Sequence, residues 1–364
     1  MKKIDEIDKN FKADTTIEEP DVRFYDVRKA PFKIYGLYEP RTESDMFRRL
    51  PQSLADEVNE GVAVLAKHTA GGRVRFRTNS RYVGIRVEYP WVDCGYSHIP
   101  FTGSAGFDLY TVEEGRHTYR HTFKPTSDIN EKLGYESLMH FDDNSMRDIV
   151  INFPLYNPVS SLYICLQESA VVEVGSEYKY EKPILYYGSS ITQGGCASRP
   201  GNSYQAIISR RYDTNYINLG FSGSGKAEEN IMEYMAQLDF SVFVLDYDHN
   251  APSPEYLEET HYRAYEIIRK YKPDCPIVMI TKPDVVLRYD HEIKRRATVF
   301  NTYQKARLGG DKNVYFIDGY SLFAGEGRDC CTVDGTHPND LGFWRMADVI
   351  GRTIEPLLLN KEIV

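Results

Sequence analysis

The sequence has no long apolar run. No stretch of about 18 apolar residues occurs, which excludes a membrane-spanning helix. Cysteine is sparse: six residues, at 94, 165, 196, 275, 330 and 331, with no C-x-x-C pair. A chain of this size needs no disulfide staples, so they read as free, buried or semi-buried thiols. Cys330 and Cys331 are adjacent, and a bond between them would be strained. A basic excess is also missing. Lys and Arg number 44 against 53 Asp and Glu, a formal charge of −9. The basic residues in "FRRL", "RRY" and "KRR" are scattered and read as solvated helix faces, so nucleic acid is not an expected partner. The N-terminus, "MKKIDEIDKNFKADTT", lacks the apolar core of a signal peptide. As it stands the chain reads as cytoplasmic, although a processed, exported chain would look the same. No internal repeat or low-complexity tract is visible.

Tyrosine is abundant: 28 of 364 residues. Tyrosines line sugar and ligand sites, and they also favour strands. At about 150 residues per domain, the length predicts two domains. Residues 1–20 form a polar N-terminal segment. Residues 21–175 carry strand grammar. "RVRFRTNSRYVGIRVEY" alternates, with Val74, Phe76 and Thr78 on one parity and charges on the other. "GFDLYTVEEGRHTYRHTF" and "DIVINFPLYNPVSSLYICL" repeat the rhythm of short strands and Gly or Pro turns. No helix of real length interrupts them, and the pattern predicts an antiparallel β-sandwich. The polar stretch 173–183, ending in a proline, marks the boundary.

Residues 182–364 change pattern. "ILYYG", "NYINLG", "FSVFVLDYD", "PIVMITKPD" and "NVYFIDGY" are short apolar runs separated by helical periods. One helix should bury Ile231, Met235 and Leu238; another should bury Leu257, His261, Ala264, Tyr265 and Ile268. Five alternations predict an α/β domain, a doubly wound parallel five-stranded sheet flanked by helices. Ligands bind at the carboxyl ends of such strands. Three loops fall there.

The first is "GSSITQG", residues 188–194. A serine after a strand can be a nucleophile if a base lies within hydrogen-bond reach, or merely a helix cap. The second is "NLGFSGSGKA", residues 218–227. Gly220, Gly225 and Lys226 have P-loop spacing, and Asp246 could then be the magnesium-linked acid. Ala227 stands where a P-loop needs a hydroxyl. Alternatively, Gly223 offers its N–H to an oxyanion, and its lack of a side chain lets substrate approach. The third is "VDGTHPND", residues 333–340. Asp334 and His337 are three apart, so an aspartate can fix one imidazole nitrogen and leave the other as a base. A capped turn before the last helix is the plain alternative.

Among other residues, His117 and His121 share a strand parity without a third ligand, so no metal is expected. His98 and His140 read as isolated structural residues. Trp91 and Tyr96 read as core or interface packing, or as a rim over the site.

Gly188, Ser189, Ser190, Ile191 and Thr192, then Asn218, Gly220 and Gly223, then Asp334 to His337, come in an order that resembles the SGNH hydrolases, or GDSL-like esterases. "GFDLY" at 106–110 resembles the G-x-D-L-Y mark of a branch with an N-terminal β-rich domain. The third block departs: "DYDHNAP" replaces G-x-N-D. It is similar to the branch's D-x-x-P-N form, with His249 for the proline, which puts Asn250 in the asparagine's place. The resemblance implies Ser190 as nucleophile, with Ser189 where many relatives carry aspartate, His337 as base and Asp334 as its orienter. It implies an oxyanion hole of Ser190, Gly223 and Asn250, and no cofactor or metal. It points to a serine carboxyl-ester hydrolase acting on a small-molecule or glycan ester, first of all an O-acetyl sugar. An acyltransferase with the same triad, a P-loop-type nucleotide binder using Gly220–Lys226 and a non-catalytic carbohydrate-binding protein stay open as alternatives.

Overall fold

Each strand of the C-terminal half is apolar on both parities because both faces are covered. Ile184 and Tyr186 pack on one side, with helices Tyr204–Tyr212 and Asp340–Leu358. Leu185 and Tyr187 pack on the other, with helices Glu229–Gln237 and Pro254–Tyr271. The computed structural model describes residues 17–42, 45–283 and 289–359, so most of the polar segment assigned to 1–20 lies outside them. Five parallel strands, Tyr180–Gly188, Thr214–Gly220, Val242–Asp246, Ile277–Ile280 and Val314–Ile317, run in the spatial order second, first, third, fourth, fifth. The strand order reverses beside the first strand, where a crevice opens at the carboxyl edge. Ser190 follows that strand directly.

The expected helix faces form. Ile231 and Met235 are buried, and Leu238, at the cap, packs on the same core. Leu257, His261, Ala264, Tyr265 and Ile268 are all buried.

Before this domain lie two antiparallel sheets packed face to face around Val74, Phe76, Ile85, Leu109, Ile149 and Ile164. Three features differ from the sequence expectation. First, short helices at Gln52–Val58 and Glu60–Leu65 interrupt the strands. Their Ala55, Val62 and Leu65 enter the core of the parallel sheet, not that of the sandwich. Second, the charged parity of Arg73–Thr78 faces water only at Arg77. Arg73 and Arg75 are each 1% exposed. Arg73 donates to Tyr216 O at 3.0 Å and stacks on the Tyr216 ring, so the sandwich's outer face is an interface with the α/β domain. Third, a β-bulge beside Tyr119 breaks the parity of His117 and His121. They pair with Val112 and Leu109, which point to opposite faces, so the two imidazoles cannot share a ligand. His117 instead meets Asp213 at 3.5 Å.

The "GFDLY" stretch explains itself at the same interface. Phe107 and Leu109 fill the sandwich core. Asp108, fully buried, accepts from Asn152 Nδ2 at 2.7 Å, from Arg199 Nη1 at 2.8 Å and from Gly201 N at 2.9 Å. Arg199 and Gly201 belong to the loop that follows Ser190, so the motif ties the sandwich to that loop. None of the six cysteines, all among the described residues, is in a disulfide. Most tyrosines near the sheet, among them Tyr186, Tyr187, Tyr204, Tyr216 and Tyr247, are core residues and not a ligand lining. Among the described residues, no helix is long and apolar enough to cross a membrane.

Candidate active site

The turn after the first strand is built residue by residue. A Cβ at Gly188 would collide with Asp246 O and Thr192 Oγ1. Ser189 caps the helical turn Ser190–Gln193: its Oγ accepts from Ile191 N at 3.1 Å, and its N–H donates to Thr192 Oγ1 at 3.2 Å. Ile191 fills the core. Thr192 Oγ1 reaches Asp246 Oδ2 at 3.1 Å, and Tyr204 OH donates to the same oxygen at 3.2 Å. Ser190 is left pointing into the crevice, 7% exposed.

His337 arrives from the loop before the last helix. The Asp334 carboxylate organises that loop by accepting from Thr336 N at 3.0 Å and from His337 N at 2.8 Å. Gly335, at φ +82°, makes the tight turn between them. Asp334 Oδ2 also lies 2.7 Å from His337 Nδ1, and His337 Nε2 lies 2.9 Å from Ser190 Oγ. Partial burial raises the Asp334 pKa, but the backbone and imidazole donors outweigh it and bring it down to about 2. The carboxylate is therefore ionised and can only accept. Nδ1 must carry the proton, which leaves the Nε2 lone pair for the Ser190 hydroxyl.

The second-strand loop faces the same crevice. Gly223 has φ +65°, and open space lies where its Cβ would project. Asn250 donates from Nδ2 to Phe221 O at 2.9 Å, which fixes its amide beside the loop. That geometry contradicts a P-loop. The N–H groups around Gly223 turn into the protein: Gly220 to Asn218 Oδ1, Phe221 to Gly188 O and Ser222 to Gln193 Oε1. Ser224 and Gly225 both turn to Phe221 O, and Ala227 turns to Tyr187 OH. A phosphate cradle needs such groups free. Asp246 is also unsuited to magnesium. It is fully buried, and burial followed by the charge of Asp248 pushes its pKa well above the carboxylate range.

Several residues at the site carry no motif. His98, expected to be isolated and structural, lies on an exposed loop of the N-terminal half with its ring 5.2 Å from that of His337. Cys196 is buried beside them at φ +76°, and burial pushes its thiol up to about 12. Tyr156, also from the N-terminal half, donates to Ser190 O at 3.1 Å. Arg49 is buried and, among the described residues, has no carboxylate partner; it donates to Gly220 O, to Asn218 O at 3.2 Å and to His68 O at 2.9 Å, which holds the second-strand loop. Only Cys196, six residues after Ser190, could have been found from sequence proximity. Tyr96 packs edge-on against Tyr156 at 5.4 Å as an interface residue, while Trp91 covers Lys67. His140 is structural, 2.8 Å from Glu19.

Comparison with known proteins agrees with this architecture. Residues 181–355 match the GDSL-like lipase/acylhydrolase family, and residues 22–172 match the GxDLY N-terminus of SGNH-hydrolase-type esterases. The chain belongs to this family, in the branch with the GxDLY domain, and is an esterase. A GDSL-like lipase from Bacteroides ovatus is similar over 93% of this chain and 98% of its own, at 27% identity and a TM-score of 0.82. The salicylyl-acyltransferase of a tetracycline biosynthetic pathway shares the fold at 19% identity and a TM-score of 0.77, over 95% of this chain and all of its own. An acetyl xylan esterase from Butyrivibrio proteoclasticus shares it at 12% identity and a TM-score of 0.56, over 93% of this chain and 98% of its own. No curated protein matches the chain in sequence.

Proposed function

We propose that the protein is a serine carboxyl-ester hydrolase that removes a small acyl group, acetyl first, from a carbohydrate or similar alcohol. The carrying observation is the Ser190–His337–Asp334 chain, with links of 2.9 and 2.7 Å. Ser190 Oγ bonds to the acyl carbon while its proton passes to His337 Nε2. Asp334 holds the imidazolium that forms. The oxyanion takes hydrogen bonds from the N–H groups of Ser190 and Gly223 and from the second Nδ2 proton of Asn250. The ester C–O bond then breaks, and His337 returns the proton to the leaving alcohol. Water, activated by the same imidazole, releases the acid and restores Ser190. Support for acetyl and for a sugar alcohol comes from the acetyl xylan esterase of like fold.

The test is Ser190→Ala beside wild type on p-nitrophenyl acetate, followed by acetylated sugars scored for released acetate. Loss of about 10⁶-fold in kcat is expected for the variant. Equal rates would sink the triad. A wild type that cleaves aryl esters but no acetylated sugar would sink the substrate class.

A further inference from the structure

His98, Cys196 and His337 come together from three separated segments. One imidazole belongs to the N-terminal half; the thiol and the other imidazole belong to the catalytic half. Their ligand atoms all lie within 4.8 Å of one another. Around a tetrahedral zinc ion, with bonds of about 2.0–2.3 Å, ligand atoms stand roughly 3.3–3.8 Å apart. His98 lies on an exposed loop, so its side chain has room to adjust toward that spacing.

We propose that these three side chains form an inhibitory site for a zinc-class divalent cation, whose binding takes the His337 imidazole away from Ser190. The donor set of two imidazoles and one thiolate suits a borderline-soft ion and not magnesium or calcium. The arrangement behind His337 also fits. A metal-bound histidine characteristically donates its other N–H to a carboxylate, as His337 Nδ1 does to Asp334. The atom free for the metal is Nε2, the same atom that must accept the Ser190 proton. Cys196 is held in left-handed backbone conformation, which is uncommon for a residue other than glycine and is found at functional sites. On binding, two imidazole lone pairs and one thiolate pair go to the cation, and the thiol proton leaves to solvent. A fourth position remains for water. The binding stands on geometry; the inhibition rests on the proposed role of His337.

The experiment is a Co²⁺ titration of the full-length protein, followed by displacement with Zn²⁺. The expected signal is a thiolate-to-cobalt charge-transfer band in the near ultraviolet. Cys196→Ser should abolish it, and His98→Ala should weaken the affinity at least about tenfold. In parallel, Zn²⁺ should inhibit wild-type hydrolysis of p-nitrophenyl acetate, reversibly with chelator, while Mg²⁺ and Ca²⁺ should not. Both variants, each measured against its own metal-free rate, should resist zinc. No thiolate band in the wild type would overturn the site. So would a cobalt affinity unchanged from wild type in both variants, which would place the ion away from His98 and Cys196. Zinc binding that leaves the rate unchanged, or raises it, would overturn the inhibition. A wild type without esterase activity would fail the functional reading instead, and the cobalt band would still decide the site.

Discussion

Asp334 and Asp246 flank the Ser190 turn, and the same side chain meets opposite environments there. Asp334 lies at the rim, partly open to solvent, with two backbone N–H groups and one imidazole N–H directed at it; its pKa falls to about 2. Asp246 lies under the turn, fully buried, with hydroxyl partners and the charged Asp248 nearby; its pKa rises well above the usual range. One carboxyl is kept ionised to orient an imidazole. The other keeps its proton to above the usual carboxylate range, and holds Thr192 and Tyr204 in place beneath Ser190. The number of N–H donors offered, set against burial, decides which state each takes.

The difference predicts opposite outcomes for the same substitution. Asp334→Asn should cost about 10⁴-fold in kcat, because an amide cannot enforce the Nδ1–H tautomer. Asp246→Asn replaces a carboxyl whose pKa burial raises with an amide of the same shape. It should change kcat by less than about tenfold, under about 1.4 kcal/mol. Steady-state kinetics on p-nitrophenyl acetate decide it. An Asp246→Asn enzyme as damaged as Asp334→Asn would mean that Asp246 acts as a charge. Next in size is Asn250→Ala, which removes one of the proposed oxyanion donors and should lower kcat by about 10²–10³ with little change in KM. A matched rise in KM would instead place Asn250 in ground-state binding.

Stability against pH sharpens the same contrast. Unfolded, Asp246 titrates near pH 3.9; folded, it holds its proton to well above that. Between the two values the folded state binds the extra proton. The contribution is therefore complete below about pH 4 and is lost as pH rises through the folded value, by up to about 1.4 kcal/mol per pH unit. Asp334 runs the other way: its contribution is present above the unfolded pKa and lost as pH falls toward about 2. Thermal melting of Asp246→Asn beside wild type should favour the variant increasingly as pH rises above 4. A constant difference across that range would show that Asp246 is ionised in the fold.

How much could be read beforehand follows from where periodicity operates. The five-stranded sheet was legible because every strand buries both faces, and both helix faces announce a 3.6 period. Ser190, Asp334 and His337 came from the order of three short motifs that resembles the SGNH hydrolases, since only the Asp334–His337 pair has a short spacing, and the structure brings the three side chains together. The domain interface was not legible. Arg73 and Arg75 are buried, and strand alternation says only that a face is charged, not that a second domain covers it. The His117–His121 parity failed at one bulged residue, which leaves no mark in composition. His98 reaches His337 from an exposed loop of the N-terminal half, where no period applies.

The smallest expected effect concerns the serine pair itself. Ser189 and Ser190 are adjacent and both largely buried, yet their hydroxyls do different work. The Ser189 hydroxyl accepts from Ile191 N at 3.1 Å and so satisfies one free donor at the start of the turn. Its backbone N–H separately joins Thr192 and, through it, Asp246. Ser189→Ala removes the side-chain cap, while the backbone link to Thr192 survives. The loss should be that of a helix cap, about 1 kcal/mol in stability. The rate should change little if the Thr192–Asp246–Tyr204 group alone fixes the position of Ser190. A large fall in kcat, with melting lowered by only the cap's worth, would show that the Ser189 hydroxyl also aims the nucleophile. The contrast between rim and floor would then need a third member.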